Sequence, residues 1–153
     1  LVVTPSGLFI FSAVSFFRWE RAMIKCLGTV PVFVSDSEQA LGFYRDKLGF
    51  KVVADHQLNE EFRWLAVVTP DAQTELCLYC PISFTEDSED LKKRIGTWTG
   101  MVFLTDNLHE TFQEMREKGV EFETPQPIEQ PWGLEIWFRD PDGNRFNLVE
   151  RKS

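Results

Sequence analysis

The run ELCLYC, residues 75 to 80, places Glu75, Cys77, Tyr79 and Cys80 within one short stretch, an assortment that could supply a general base, metal thiolates or a redox pair. Its apolar content reads as a strand. In a strand, positions three apart point to opposite faces, so Cys77 and Cys80 cannot share a metal, and they do not open a helix as a redox pair of this spacing would. They are expected to line the core. The histidines are His56, near the start of a strand or loop, and His109, outside the apolar stripe of its helix. Near the other end of the chain, FRDPDGNRFNLVE (138 to 150) reads as a strand, a tight Asp-Pro-Asp-Gly-Asn turn and a returning strand. That returning strand carries Asn147, an amide where a charged residue would do chemistry. Pro141 fixes φ in the turn, Gly143 or Asn144 tolerates the left-handed region, and the turn is expected to be structural.

The elements that position these groups come in two similar sets. LGTVPVFVSD alternates Val30, Val32 and Val34 and runs into a helix from Ser37 to Leu48, with Asp36 and Gln39 spaced as a capping box and Gly49 as its stop. Strands are expected at 50–54, 62–68 and 74–80. GMVFLTD then starts the same order again. A helix carries Leu108, Phe112 and Met115 on one face, Gly119 follows Asp106 at the interval that separates Gly49 from Asp36, and strands are expected at 121–124, 134–139 and 145–150. An internal repeat accounts for this. Residues 1–22 read as an apolar extension outside the fold, 23–80 as the first βαβββ module, 81–97 as a charged linker with one helical turn, and 98–153 as the second module. The fold class is therefore α+β: two tandem modules forming a curved, trough-like mixed sheet with helices on its outer face.

Composition narrows the function classes. At 153 residues, with 43% hydrophobic and 26% charged residues, the chain suits an ordinary soluble domain. A net charge of −8 works against nucleic acid, which asks for a basic stripe. The apolar run from Gly7 to Phe17 is too short to span a membrane. Three cysteines give no disulfide framework, so a cytoplasmic location is expected.

The runs VFVSDSEQALGFYRDKLGF, TPDAQTELCLY and WFRDPDGNRFNLVE, with the module order, resemble the vicinal oxygen chelate superfamily, which includes glyoxalase I, extradiol dioxygenases and bleomycin-resistance proteins. The resemblance implies a metal held in the trough by two side chains from each module. Carried onto this chain, those positions are Thr29, Glu75, Gly100 and Asn147, with Met101 the alternative to Gly100. Only Glu75 is a competent anionic ligand, so no metal or other cofactor is expected.

Strand parity then gives the trough lining. Pairing Arg139 with Arg145 pairs Trp137 with Asn147 and puts Glu135 on the same face, while Thr29, Phe33, Trp64, Glu75, Tyr79 and Gly100 line the rest. Aromatic walls beside carboxylates suit a planar or cationic molecule. The carboxylates should meet a ligand cation, Arg139, Arg145 or water. The leading expectation is a metal-free protein that sequesters a small aromatic or cationic drug or toxin. The alternatives are a glyoxalase-related lyase or isomerase with Glu75 as catalytic base, with or without a divalent metal, and a non-catalytic dimeric interaction module. A small-molecule ligand and a homodimer are the expected partners.

Overall fold

Val32 and Val34 are buried, while Pro31 before them is exposed and Phe33 between them is half-buried, the two-residue period of a strand with one face on a core. That strand opens the architecture of the computed structural model, which describes residues 23–60, 62–81 and 88–152. The extension at 1–22 and part of the linker lie outside the described residues. The first module runs β1 (Thr29–Phe33), α1 (Ser37–Leu41) with a π-helical continuation (Gly42–Lys47), β2 (Lys51–Gln57), β3 (Arg63–Val68) and β4 (Glu75–Tyr79). After the short linker helix α2 (Ser88–Lys92), the second runs β5 (Trp98–Leu104), α3 (Leu108–Glu117), β6 (Glu121–Phe122), β7 (Ile128–Gln130), β8 (Gly133–Arg139) and β9 (Arg145–Arg151).

The sheet orders repeat as the sequence does. The first sheet is β1-β4-β3-β2 and the second β5-β9-β8-β6, with β7 added beside β8. In each, the first and last strands of the module pair in parallel, and the remaining ladders are antiparallel. The class is α+β with tandem βαβββ modules. The hairpin register matches parity: Arg139 faces Arg145 and Trp137 faces Asn147.

Local chemistry sets the helix limits. The Asp36 carboxylate accepts from the backbone N–H groups of Glu38 (2.8 Å) and Gln39 (2.9 Å), so α1 is capped. Among the described residues the Gln39 side chain returns no bond, which leaves the expected box half made. The wider π turn follows, with Leu48 N–H on the Phe43 carbonyl at 3.1 Å, and buries the adjacent Phe43 and Tyr44 together. Asn107 caps α3 through Glu110 N–H at 3.1 Å, and Leu108, Phe112 and Met115 are buried as their spacing predicts. Both helical segments end at glycines in the left-handed region, Gly49 (φ 75°) and Gly119 (φ 73°).

One core joins the modules through their helix-covered faces. Tyr44 meets Phe146 at 6.2 Å and Phe50 meets Phe103 at 5.6 Å between ring centroids. A polar tie crosses the same boundary. The Tyr44 hydroxyl donates to Asp140 (2.9 Å), the Asn144 amide donates to Asp140 (2.8 Å) and to the Phe33 carbonyl (2.9 Å), and Ser35 donates through both backbone and hydroxyl to Asp142. Gly143, at φ 82°, takes the left-handed turn position. Asn144 is not needed there; it is buried and ties the modules together. No helix among the described residues is long and apolar enough to cross a membrane.

Candidate functional site

The face of each sheet opposite the core carries the residues that parity assigned to it, and in each they cluster. On the first sheet, Phe33 and Tyr79 meet edge to face at 5.8 Å, and Phe62 joins Tyr79 (5.6 Å) to Trp64 (6.5 Å). The Arg94 guanidinium lies 5.7 Å from the Phe33 ring centre. Thr29 and Glu75 are ladder neighbours. Among the described residues the Glu75 carboxylate has no ion pair or hydrogen bond. Cys77 sits between Glu75 and Tyr79, and its thiol is pushed up to about 11, first by burial and then by the Glu75 charge. It is a protonated, inert thiol at neutral pH.

The second sheet carries a tryptophan cluster beside a polar knot. Trp98 and Trp137 meet at 6.4 Å, and the Arg145 guanidinium lies 5.3 Å from the Trp137 ring centre. Glu135 is buried and accepts from Gln130 Nε2 (3.1 Å), Trp132 Nε1 (3.2 Å) and Asn147 Nδ2 (3.2 Å). Asn147 Oδ1 is buried without a partner among the described residues. Neither arginine expected near these carboxylates serves Glu135. Arg145 holds Glu123 through Nε (2.6 Å) and Nη2 (2.9 Å), and Arg139 reaches the same carboxylate at 2.8 Å. These bonds hold the Glu123 carboxyl below its ordinary range, against the opposing effect of burial.

The structure thus brings Phe33, Trp64, Glu75 and Tyr79 together on one face, and Glu135, Trp137 and Asn147 on the other. Gly100 lies at an irregularity in β5 with φ 74°, and Val102, beyond it, pairs with Asn147. Met101 packs against the core. Sequence reasoning missed Phe62, Trp98, Trp132 and Gln130. Trp98 was within reach of the same parity argument, whereas Trp132 sits in a short hairpin turn that no period reveals. Among the described residues, no hydrogen bond, ion pair or ring contact links the two clusters. Two clefts between the modules, about 260 and 570 Å³, are lined by residues such as Phe50, Pro70, Phe103 and Leu104, and of the expected positions only Met101, the alternative to Gly100, borders one of them. Each aromatic cluster lies on a sheet face that nothing else among the described residues covers.

The positions implied for a metal do not fit one. Thr29 offers a hydroxyl, Gly100 no side chain and Asn147 one amide oxygen, leaving Glu75 as the sole anion. His56 is exposed on β2 and His109 is exposed on α3. No grouping of three His, Cys, Asp or Glu side chains suited to an ion occurs among the described residues.

Comparison with known proteins agrees with this architecture. Residues 26–148 match the family model described as the Glyoxalase/Bleomycin resistance protein/Dioxygenase superfamily. The uncharacterized protein YetH of Bacillus subtilis (strain 168) is 38% identical over 128 residues, 84% of this chain and 100% of that one. A superfamily member from Sphaerobacter thermophilus DSM 20745 superposes with a TM-score of 0.75 at 42% identity, over 85% of this chain and 100% of the other. TnmS3, an antibiotic binding protein from Streptomyces sp. CB03234, superposes with a TM-score of 0.69 at 30% identity, over 86% of this chain and 99% of its own.

Proposed function

The chain belongs to the Glyoxalase/Bleomycin resistance protein/Dioxygenase superfamily, and from that premise we propose that it binds a small planar aromatic or cationic compound without a metal, holding it by capture. The observation that carries this reading is the pair of aromatic clusters on the sheet faces that hold the positions of a coordination cage: Phe33, Phe62, Trp64 and Tyr79 on one face, Trp98 and Trp137 on the other. Stacked and edge-on rings each contribute about 0.5–1.5 kcal/mol beyond the area they bury, and they serve a flat ligand equally well. The likeness to an antibiotic binding protein agrees with such a role.

Because each of these faces is uncovered among the described residues, a homodimer is part of the proposal. In it the first sheet's cluster faces the second sheet's cluster of the partner subunit, and the exposed Trp98, Val102 and Leu104 of β5 are covered. Titration with planar cationic drugs, read by tryptophan emission, tests the binding, and light scattering tests the assembly. Saturable one-to-one quenching by a monodisperse dimer is expected. No response across the drug panel would sink the binding reading.

One observation favours a second reading. The Glu75 carboxylate, unpaired among the described residues, is available to act as a general base, as a glyoxalase-related lyase would need. That chemistry also needs an electrophile for the developing enediolate, for which the ladder partner of Glu75 offers one hydroxyl, that of Thr29, in place of a metal. Turnover of the hemithioacetal of methylglyoxal and glutathione, abolished by Glu75→Gln, would establish this reading in place of the first.

A further inference from the structure

We propose that the Glu135–Asn147 end of the second open face recognises a planar cation rich in N–H groups, of the amidinium or guanidinium type, carried on an aromatic ligand. This rests on the binding function proposed above and specifies the chemistry of what is bound.

The first ground is an anion without a counter-charge. Glu135 is 8% exposed, and every donor that reaches it among the described residues is neutral: the Gln130 amide, the Trp132 indole and the Asn147 amide. Arg139 and Arg145, farther along the hairpin, are both committed to Glu123, and Arg151, the nearest cation in the register through its pairing with Gly133, is exposed and makes no ion pair with Glu135 among the described residues. Among the described residues Glu135 has no ion pair. A buried carboxylate held only by neutral donors is an unfavourable arrangement that a cation would relieve.

The second ground is an acceptor without a donor. Asn147 is also 8% exposed, and its Oδ1 is buried with no hydrogen bond among the described residues. Turning the amide over does not help, because Oδ1 would then face the Glu135 carboxylate, acceptor against acceptor. Glu135 therefore fixes the amide, and Oδ1 is left over. Orphaned buried acceptors in folded proteins call for an explanation, and here the explanation is a missing donor.

Together these atoms form a negatively charged acceptor pair beside flat rings. A planar cation with two N–H groups would satisfy both at once, one on Asn147 Oδ1 and one on Glu135. On Glu135 it would take the place of the Trp132 indole, whose residue is more than half exposed and bound there at 3.2 Å. Planarity follows from the walls. The Trp137 face already carries a guanidinium, that of Arg145, at 5.3 Å, and Trp98 stands against Trp137 at 6.4 Å to receive an attached ring. A divalent ion is a poor fit, because it would find one carboxylate and one amide oxygen where it needs several oxygens.

Calorimetry on the unmodified protein tests this with three probes of one ring size. 2-Naphthamidine has charge and N–H groups, trimethyl-2-naphthylammonium has charge alone, and 2-naphthamide has N–H groups alone. The amidine is expected to bind at least about tenfold more tightly than either of the others, because charge-assisted hydrogen bonds are roughly twice as strong as neutral ones. Glu135→Gln should reduce the amidine to the level of the amide, and Asn147→Leu should weaken it while leaving the quaternary ion unchanged. Comparable binding of all three probes would overturn this assignment and leave the general binding function standing. Absence of binding by any of them, alongside failure of the drug panel, would overturn both. Since the probe series needs no variant, its outcome is independent of how well either substituted protein folds.

Discussion

Glu123 draws two arginines to one carboxylate, and its environment predicts how stability responds to acid. Its hydrogen bond to Arg145 and the charges of Arg145 and Arg139 lower its value in the folded state. A lowered carboxyl stabilises the fold above its unfolded value and loses that contribution as pH falls through its folded value. Asp140 runs the other way. Burial raises it in spite of bonds from Asn144 and Tyr44, so its contribution is present below its unfolded value and is lost as pH rises through its folded one. Glu123→Gln should therefore be less stable than the parent at neutral pH, with the gap closing as pH falls below the ordinary glutamate range. Urea midpoints measured from pH 3 to pH 7 check this, and a gap that stays constant would contradict it. Neither pairing was legible in the sequence. Glu123 meets Arg145 across two strands, and Asp140 meets Tyr44 from the other module 96 residues away, whereas local spacing reports only near neighbours such as Asn144.

At the scale of elements, the β7–β8 hairpin carries more than its length suggests. Its turn holds Trp132, its strands hold Gln130 and Glu135, and its close approach depends on Gly133. That residue has φ 142°, and an added Cβ would sit 1.9 Å from the Glu150 carbonyl oxygen. Gly133→Ala should cost more than about 2 kcal/mol by chemical denaturation. It should also shift tryptophan emission, as Trp132 leaves Glu135. The sequence shows longer elements better. The strand alternation that placed Trp137 and Asn147 opposite each other, and the glycine stops of both helical segments, were readable because each repeats a period or a known cap. The Ile128–Gln130 strand was not, since three residues ending before Pro131 offer no alternation to recognise. The π-helical stretch was also hidden, because a helical stripe of apolar residues does not distinguish a five-residue from a four-residue turn.

At the scale of the whole molecule, the shared core predicts that the modules unfold as one. Phe146 is fully buried and touches Tyr44 of the first module as well as Phe103 and Phe138 of the second. Phe146→Ala should cost roughly 3–5 kcal/mol. Circular dichroism and tryptophan emission should still report one coincident transition, and two separated transitions would show that the modules melt apart. The repeat and its topology were visible from the order of strands, helices and stops. How the two sheets sit against each other was not, because their meeting depends on aromatic rings contributed from both modules rather than on any pattern within either.

The bonds among Tyr44, Asp140, Asn144, Ser35 and Asp142 have a consequence for the duplication itself. The second copy's tip grips the first. The matching tip of the first copy, residues 69–73, makes no such bond among the described residues. The halves have become unlike in the way a bolt differs from its nut. A protein assembled from two first copies would have no rivet, whereas one assembled from two second copies would have a rivet with nothing to enter.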